Sequence, residues 1–86
     1  MRHAHVKTMM DHLHLEHALL QVTVWDKGHL IMETSRKGFI EARRFALLVL
    51  DARPDGVCYI NYEKKTMARI TMAETVVFHH TPKETH

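Results

Sequence analysis

A single cysteine, Cys58, rules out an internal disulfide, and its isolation fits a reducing compartment. A domain of 86 residues has little surface to bury, so without a disulfide it must lean on an efficient core, a metal or a partner subunit. Long apolar runs are missing too. The longest, Phe45-Ala46-Leu47-Leu48-Val49-Leu50, falls far short of the roughly 20 residues that span a membrane. The N-terminus shows no apolar signal core followed by a small-residue cleavage site, so the expectation is a cytoplasmic protein with no membrane partner. Catalytic signatures are absent: no Gly-x-Ser-x-Gly elbow, no phosphate-cradling glycine loop and no glycine-rich dinucleotide fingerprint. Turns or a helix start account for all three glycines, Gly28, Gly38 and Gly56. A binding role is therefore expected over an enzymatic one.

What is present describes a folded protein. Hydrophobic content of 45% and charged content of 26% are ordinary, which argues against global disorder. The expectation is one domain over residues 1–86, with a loose arm at 1–11 and a frayed polar tail at 81–86. A formal charge of +2 allows an anionic partner without demanding one.

Local patterns give the element order. Gln21-Val22-Thr23-Val24-Trp25 is rich in β-branched and aromatic residues, Asp26-Lys27-Gly28 supplies a turn, and His29 to Thr34 returns as a second strand. Thr34 or Ser35 offers a helix N-cap, although Gly38 places the helix start nearer Phe39. Phe39, Ala42, Phe45, Ala46 and Val49 recur at helical spacing, and Arg53-Pro54-Asp55-Gly56 ends the element. Val57 to Tyr62 reads as a third strand, Glu63 to Thr66 as a polar turn and Met67 to Met72 as a fourth strand. Thr75 to His79 either prolongs that strand past a bulge or forms a fifth. The order β-β-α-β-β(-β) predicts an α+β fold, a small antiparallel sheet of four or five strands with one helix on one face.

Nine histidines are the chain's most chemically suggestive feature, and His12, His14 and His17 crowd into Asp11-His12-Leu13-His14-Leu15-Glu16-His17. An extended segment places His12, His14 and Glu16 on one face; a helical one stacks His12 on Glu16 and His14 on His17. Either geometry gathers two or three ligands for a transition metal such as zinc. The alternative is a histidine-rich edge with no metal. The string resembles the His-x-His-x-Asp-His motif of metallo-β-lactamase-fold hydrolases over six residues. It carries Glu16 where that motif has Asp, and 86 residues are too few to provide that fold's remaining ligands. Buried or crowded histidines would loosen the fold or assembly as pH falls from roughly 6.5 to 5.

The predicted helix carries apolar residues beyond its sheet-facing stripe. Leu47 and Leu50 are read as lying opposite Ala42 and Ala46, which would make a second face for a subunit or target protein, or for cover by the N-terminal arm. Arg43 and Arg44 flank that face on the exposed side. Basic pairs at Arg36-Lys37, Arg43-Arg44 and Lys64-Lys65, with Tyr59, Tyr62 or Trp25 to stack, would suit a phosphate-bearing ligand or nucleic acid; a solvated face that keeps the protein soluble is the more ordinary explanation of any one pair. Cys58, inside a strand, reads as a small packing group rather than a nucleophile.

These observations order the expected functions. First is a small non-enzymatic binding or regulatory protein, of the inhibitor or adaptor type, acting on another protein through its surface as a homo-oligomer, with Leu47, Leu50, Arg43 and Arg44 at the contact. A metal-binding protein centred on His12, His14 and His17 comes second, and a nucleic-acid or nucleotide binder third.

Overall fold

The computed structural model describes residues 16–78. The expected arm at 1–11 and tail at 81–86, and with them His12 and His14, lie outside the described residues.

Strand β1 (Leu19–Asp26) alternates strictly along its first half: Leu20, Val22 and Val24 are fully buried, whereas Leu19 and Gln21 are exposed. Alternation with period 2 is what a strand needs when only one of its faces is covered. β2 (His29–Lys37) returns antiparallel through the two-residue turn Lys27-Gly28, both at positive φ, 53° and 79°. That handedness matches the twist of the flanking strands. The register slips between Val24 and Trp25, so Val24 faces Met32, Trp25 faces Leu30, and Ile31 is the extra residue of a bulge.

β2 runs through Thr34 and Ser35 to Lys37, so neither of those residues caps the helix. Gly38 takes the cap position instead, at φ 88° and ψ 146°. Its backbone N–H donates to the Ala18 carbonyl at 2.8 Å. A Cβ there would meet the Glu16 carbonyl oxygen at 2.5 Å, so glycine is required on two counts, conformation and space.

Helix α1 (Phe39–Ala52) lies across the sheet with Ala42, Ala46 and Leu50 fully buried. These recur every fourth residue, and the small side chains of the two alanines let the backbone approach the strands closely. The Arg53 N–H closes the helix on the carbonyls of Val49 and Leu50. β3 (Val57–Tyr62), β4 (Lys65–Ile70) and the short β5 (Thr75–Val77) complete a five-stranded antiparallel sheet in the order β2-β1-β3-β4-β5. β3 pairs with β1, so the helix carries the chain over β1 from one of its flanks to the other. The fold is α+β in the predicted element order, with a separate fifth strand.

The core between helix and sheet consists of Leu20, Val22 and Val24 from β1, Cys58 and Ile60 from β3, Ala68 and Ile70 from β4, and the three buried helix residues. Each fully buried Val, Leu or Ile contributes about 1.5–3 kcal/mol of transfer free energy. No side chain in this core is polar or charged. Cys58 belongs to it as a packing group: its thiol faces the Ala46 carbonyl at 3.8 Å, and burial pushes its pKa up to about 11. A thiol held protonated in this way is a poor nucleophile.

Leu50 corrects one expectation. At about 100° per residue it lies only about 40° from Ala46, inside the buried stripe and not opposite it. The stripe is centred further toward Leu50 than the pattern Phe39, Ala42, Phe45, Ala46 and Val49 implies. The sheet of the same chain covers Leu50 completely, which removes it from any contact with a partner. Leu47 is half-buried at the margin of the core, and the large apolar residues the helix does expose are Ile40 and Leu48.

Candidate interaction face

The helix covers one face of the sheet, and no second layer covers the other among the described residues. Its composition follows from strand pairing, because residues directly opposite one another share a face. One row crosses all five strands: Glu33, Thr23, Tyr59, Arg69 and Val76. The next row holds Leu30, Trp25 and Val57, and on the other side run Ser35, Gln21, Asn61 and Thr66. Two hydrogen bonds fix side chains on this face. The Trp25 indole Nε1–H donates to Thr23 Oγ1 at 3.1 Å, and Thr66 Oγ1 donates to Asn61 Oδ1 at 2.9 Å.

The open face is graded. Toward the β1–β2 turn it is aromatic and apolar, with Trp25 and Val57, and Tyr59 stands in the next row on β3. The row beyond Tyr59 is polar, with Ser35, Gln21, Asn61 and Thr66. The flanks of the face are charged: Glu33 on β2 and Arg69 on β4 lie on opposite sides of Thr23 and Tyr59 in a single row. Neither makes an ion pair among the described residues, where Arg44–Glu41 and Arg53–Asp26 are the pairs formed. Trp25 and Tyr59 are each half-buried by their neighbours, yet their outer surfaces face solvent.

The basic pairs do not assemble beside these aromatics. Arg36 lies on the helix side of β2, its guanidinium 4.2 Å from the centroid of the Phe45 ring, with Nη1 donating to Thr34 Oγ1 at 2.8 Å and to the Ser35 carbonyl at 2.7 Å. Arg43 is exposed and spans from the helix to β5, its Nε donating to Thr75 Oγ1 at 3.1 Å. Arg44 is exposed and pairs with Glu41 one turn away. Lys64 and Lys65 belong to the β3–β4 turn and its edge. The cation beside Tyr59 is Arg69, which belongs to none of the pairs.

His17 and His29 are both exposed, and the other seven histidines lie outside the described residues. No group of three or more histidine, cysteine, aspartate or glutamate residues among the described residues is placed to hold a metal ion, and the candidate ligands His12 and His14 lie outside them. Among the described residues no helix is long and apolar enough to cross a membrane.

Of the residues singled out from sequence, Trp25 and Tyr59 meet on the open face, whereas Arg43, Arg44 and Leu47 lie on the helix flanks. Glu33 and Arg69 were missed, because their place in one row depends on strand register. Comparison with protein-family models, curated proteins and solved structures found no match to this chain.

Proposed function

We propose that this chain is a small non-enzymatic binding protein of the inhibitor or adaptor type, which works through the open face of its sheet and associates with itself. One observation carries the reading: Trp25, Tyr59 and Arg69 stand together with Val57 and Val76 on a sheet face that has no covering layer among the described residues. Aromatic residues and arginine are the types most enriched where proteins meet, and a few such residues carry most of the binding energy. A five-stranded sheet that buries only one face leaves the apolar part of the other in water. Covering it yields about 25 cal/mol per Å² of apolar surface.

The test is light scattering on the full chain across a concentration series, with Trp25→Ala and Tyr59→Ala alongside. Both residues lie outside the helix–sheet core, so the variants should keep the wild-type circular dichroism. The expected result is a mass that rises with concentration in the wild type and less in either variant. A mass that stays monomeric at every concentration removes self-association. Variants that associate as well as the wild type remove the open face as the working surface.

A further inference from the structure

We infer that a second copy of this chain docks on the open face, sheet against sheet, about a two-fold axis running parallel to the strands between β1 and β3. The inference rests on the binding reading above and adds to it the identity of the occupant and the register of docking.

The argument is geometric. A two-fold axis lying between two facing sheets and parallel to their strands reverses the lateral order of strands but keeps each row level. With the axis between β1 and β3, β1 lies over the partner's β3 and β2 over the partner's β4. The row Glu33, Thr23, Tyr59, Arg69 then meets its own reverse. Glu33 faces the partner's Arg69, Thr23 faces the partner's Tyr59, and the symmetry repeats both contacts. In the adjacent row Trp25 covers the partner's Val57; in the row on the other side Gln21 meets the partner's Asn61. Trp25 meets an apolar group, amides meet amides, and Glu33 and Arg69, which form no ion pair among the described residues, each find an opposite charge. Lys37 at the far end of the face and Val76 on β5 lie outside these contacts.

Neighbouring axes do not achieve this. An axis along β1 sets Glu33 over the partner's Tyr59 and leaves Arg69 beyond the facing sheet. An axis along β3 sets Glu33 against the partner's Val76 and Arg69 against the partner's Thr23. Among these placements, one satisfies both charges.

Sheet twist does not spoil the match. Facing sheets cross at about 30°. The β2 and β4 positions lie about 7 Å from the axis at a strand spacing of about 4.8 Å. The crossing angle therefore displaces them by about 3–4 Å along the strands, which long Glu and Arg side chains can span. Four overlapped strands of about six residues give a plan area of about 400 Å². Corrugation by side chains brings the accessible area toward the roughly 600 Å² per partner at the small end of specific interfaces. The assembly is a four-layer sandwich, with two sheets inside and a helix on each outer side.

Charge reversal tests the register. Glu33→Arg sets two positive groups against each other at both symmetry-related sites, and Arg69→Glu sets two negative ones. Each single variant should dimerise at least about tenfold more weakly than the wild type, because like charges brought together at an interface are costly. An equimolar mixture of the two variants places opposite charges at both sites, so sedimentation velocity should recover a dimer from two chains that each fail to form one. That recovery also shows that both variants are folded. Single variants that dimerise like the wild type, or a mixture that stays monomeric, overturn the proposed register. If Trp25→Ala weakens the wild-type dimer in that case, the open-face reading survives and the register alone is wrong. A wild type that is monomeric throughout overturns both.

Discussion

Hairpin β3–β4 turns on Glu63 and Lys64, both in the left-handed region at φ 50° and 69°, between the paired residues Tyr62 and Lys65. A two-residue connection of this hand favours Asn-Gly, because a side chain with a Cβ meets the following carbonyl. The β1–β2 turn has the same geometry with one glycine, Gly28, beside Lys27. The second hairpin therefore holds two residues that carry the conformational penalty, and the first holds one. The penalty is about 1–2 kcal/mol per residue. Replacing Lys64 by glycine relieves it there but returns about 0.5–1 kcal/mol to the unfolded chain as backbone freedom. Asparagine at Glu63 tolerates the left-handed region better and relieves part of the second. The variant E63N/K64G should then be more stable by about 1–2 kcal/mol, which raises the melting temperature by roughly 4–8 °C per kcal/mol in a domain of this size. K27N, with one residue to relieve, should gain less than about 1 kcal/mol. Glu63 and Lys64 are both exposed, so little packing is lost. Thermal and urea unfolding followed by circular dichroism measure the change. An unchanged or lower midpoint for E63N/K64G at constant m-value would refute the argument that backbone conformation at this turn limits stability.

Two other perturbations probe the helix side of the molecule. Gly38→Ala combines a strained φ of 88° with a Cβ 2.5 Å from the Glu16 carbonyl, and should cost about 2–4 kcal/mol in urea unfolding; a loss under about 0.5 kcal/mol would show that segment 16–18 yields freely. At Cys58 burial favours the neutral thiol, so the folded pKa of about 11 exceeds the unfolded value near 9.0, and the unfolded chain releases its proton first. Stability should thus be unaffected by this group below pH 9 and fall as pH rises from 9 to 11, by up to about 3 kcal/mol. The difference between wild type and Cys58→Ala isolates that slope from the other titrating groups, and parallel pH profiles for the two proteins would contradict it.

Much of the fold was legible because its signals are local. β3 occupies Val57–Tyr62, as the β-branched and aromatic run predicts, and the Lys27-Gly28 turn is where the sequence places it. Other boundaries moved where side-chain chemistry competed with backbone geometry. Thr34 and Ser35 are good caps by type, but the strand continues past them because Gly38 can take the conformation that joins strand to helix in one residue. β4 begins at Lys65, two residues before Met67, because a two-residue turn recruits Lys65 and Thr66 into pairing. Leu50 was misplaced although spacing alone sets it: Ala42, Ala46 and Leu50 recur every fourth residue, so Leu50 falls about 40° from Ala46 and about 80° from Ala42. The open face was the least legible feature. Trp25 and Tyr59 are visible as candidates one at a time, but their adjacency comes from β1 pairing with β3 across an intervening strand and helix. Glu33 and Arg69 acquire meaning once that pairing sets them in one row.

The position of the chain's one tryptophan has a spectroscopic consequence. Trp25 lies on the open face, with its indole N–H bonded to Thr23, and not between helix and sheet. Its emission therefore samples the environment above the central strands while remaining largely blind to repacking around Leu50 or Ile60. Loss of the helix alone could leave its colour nearly unchanged, whereas a molecule arriving over β1 and β3 would shift it without any change in secondary structure. The chain's own optical probe thus sits on the face proposed for contact and away from where the fold is held together.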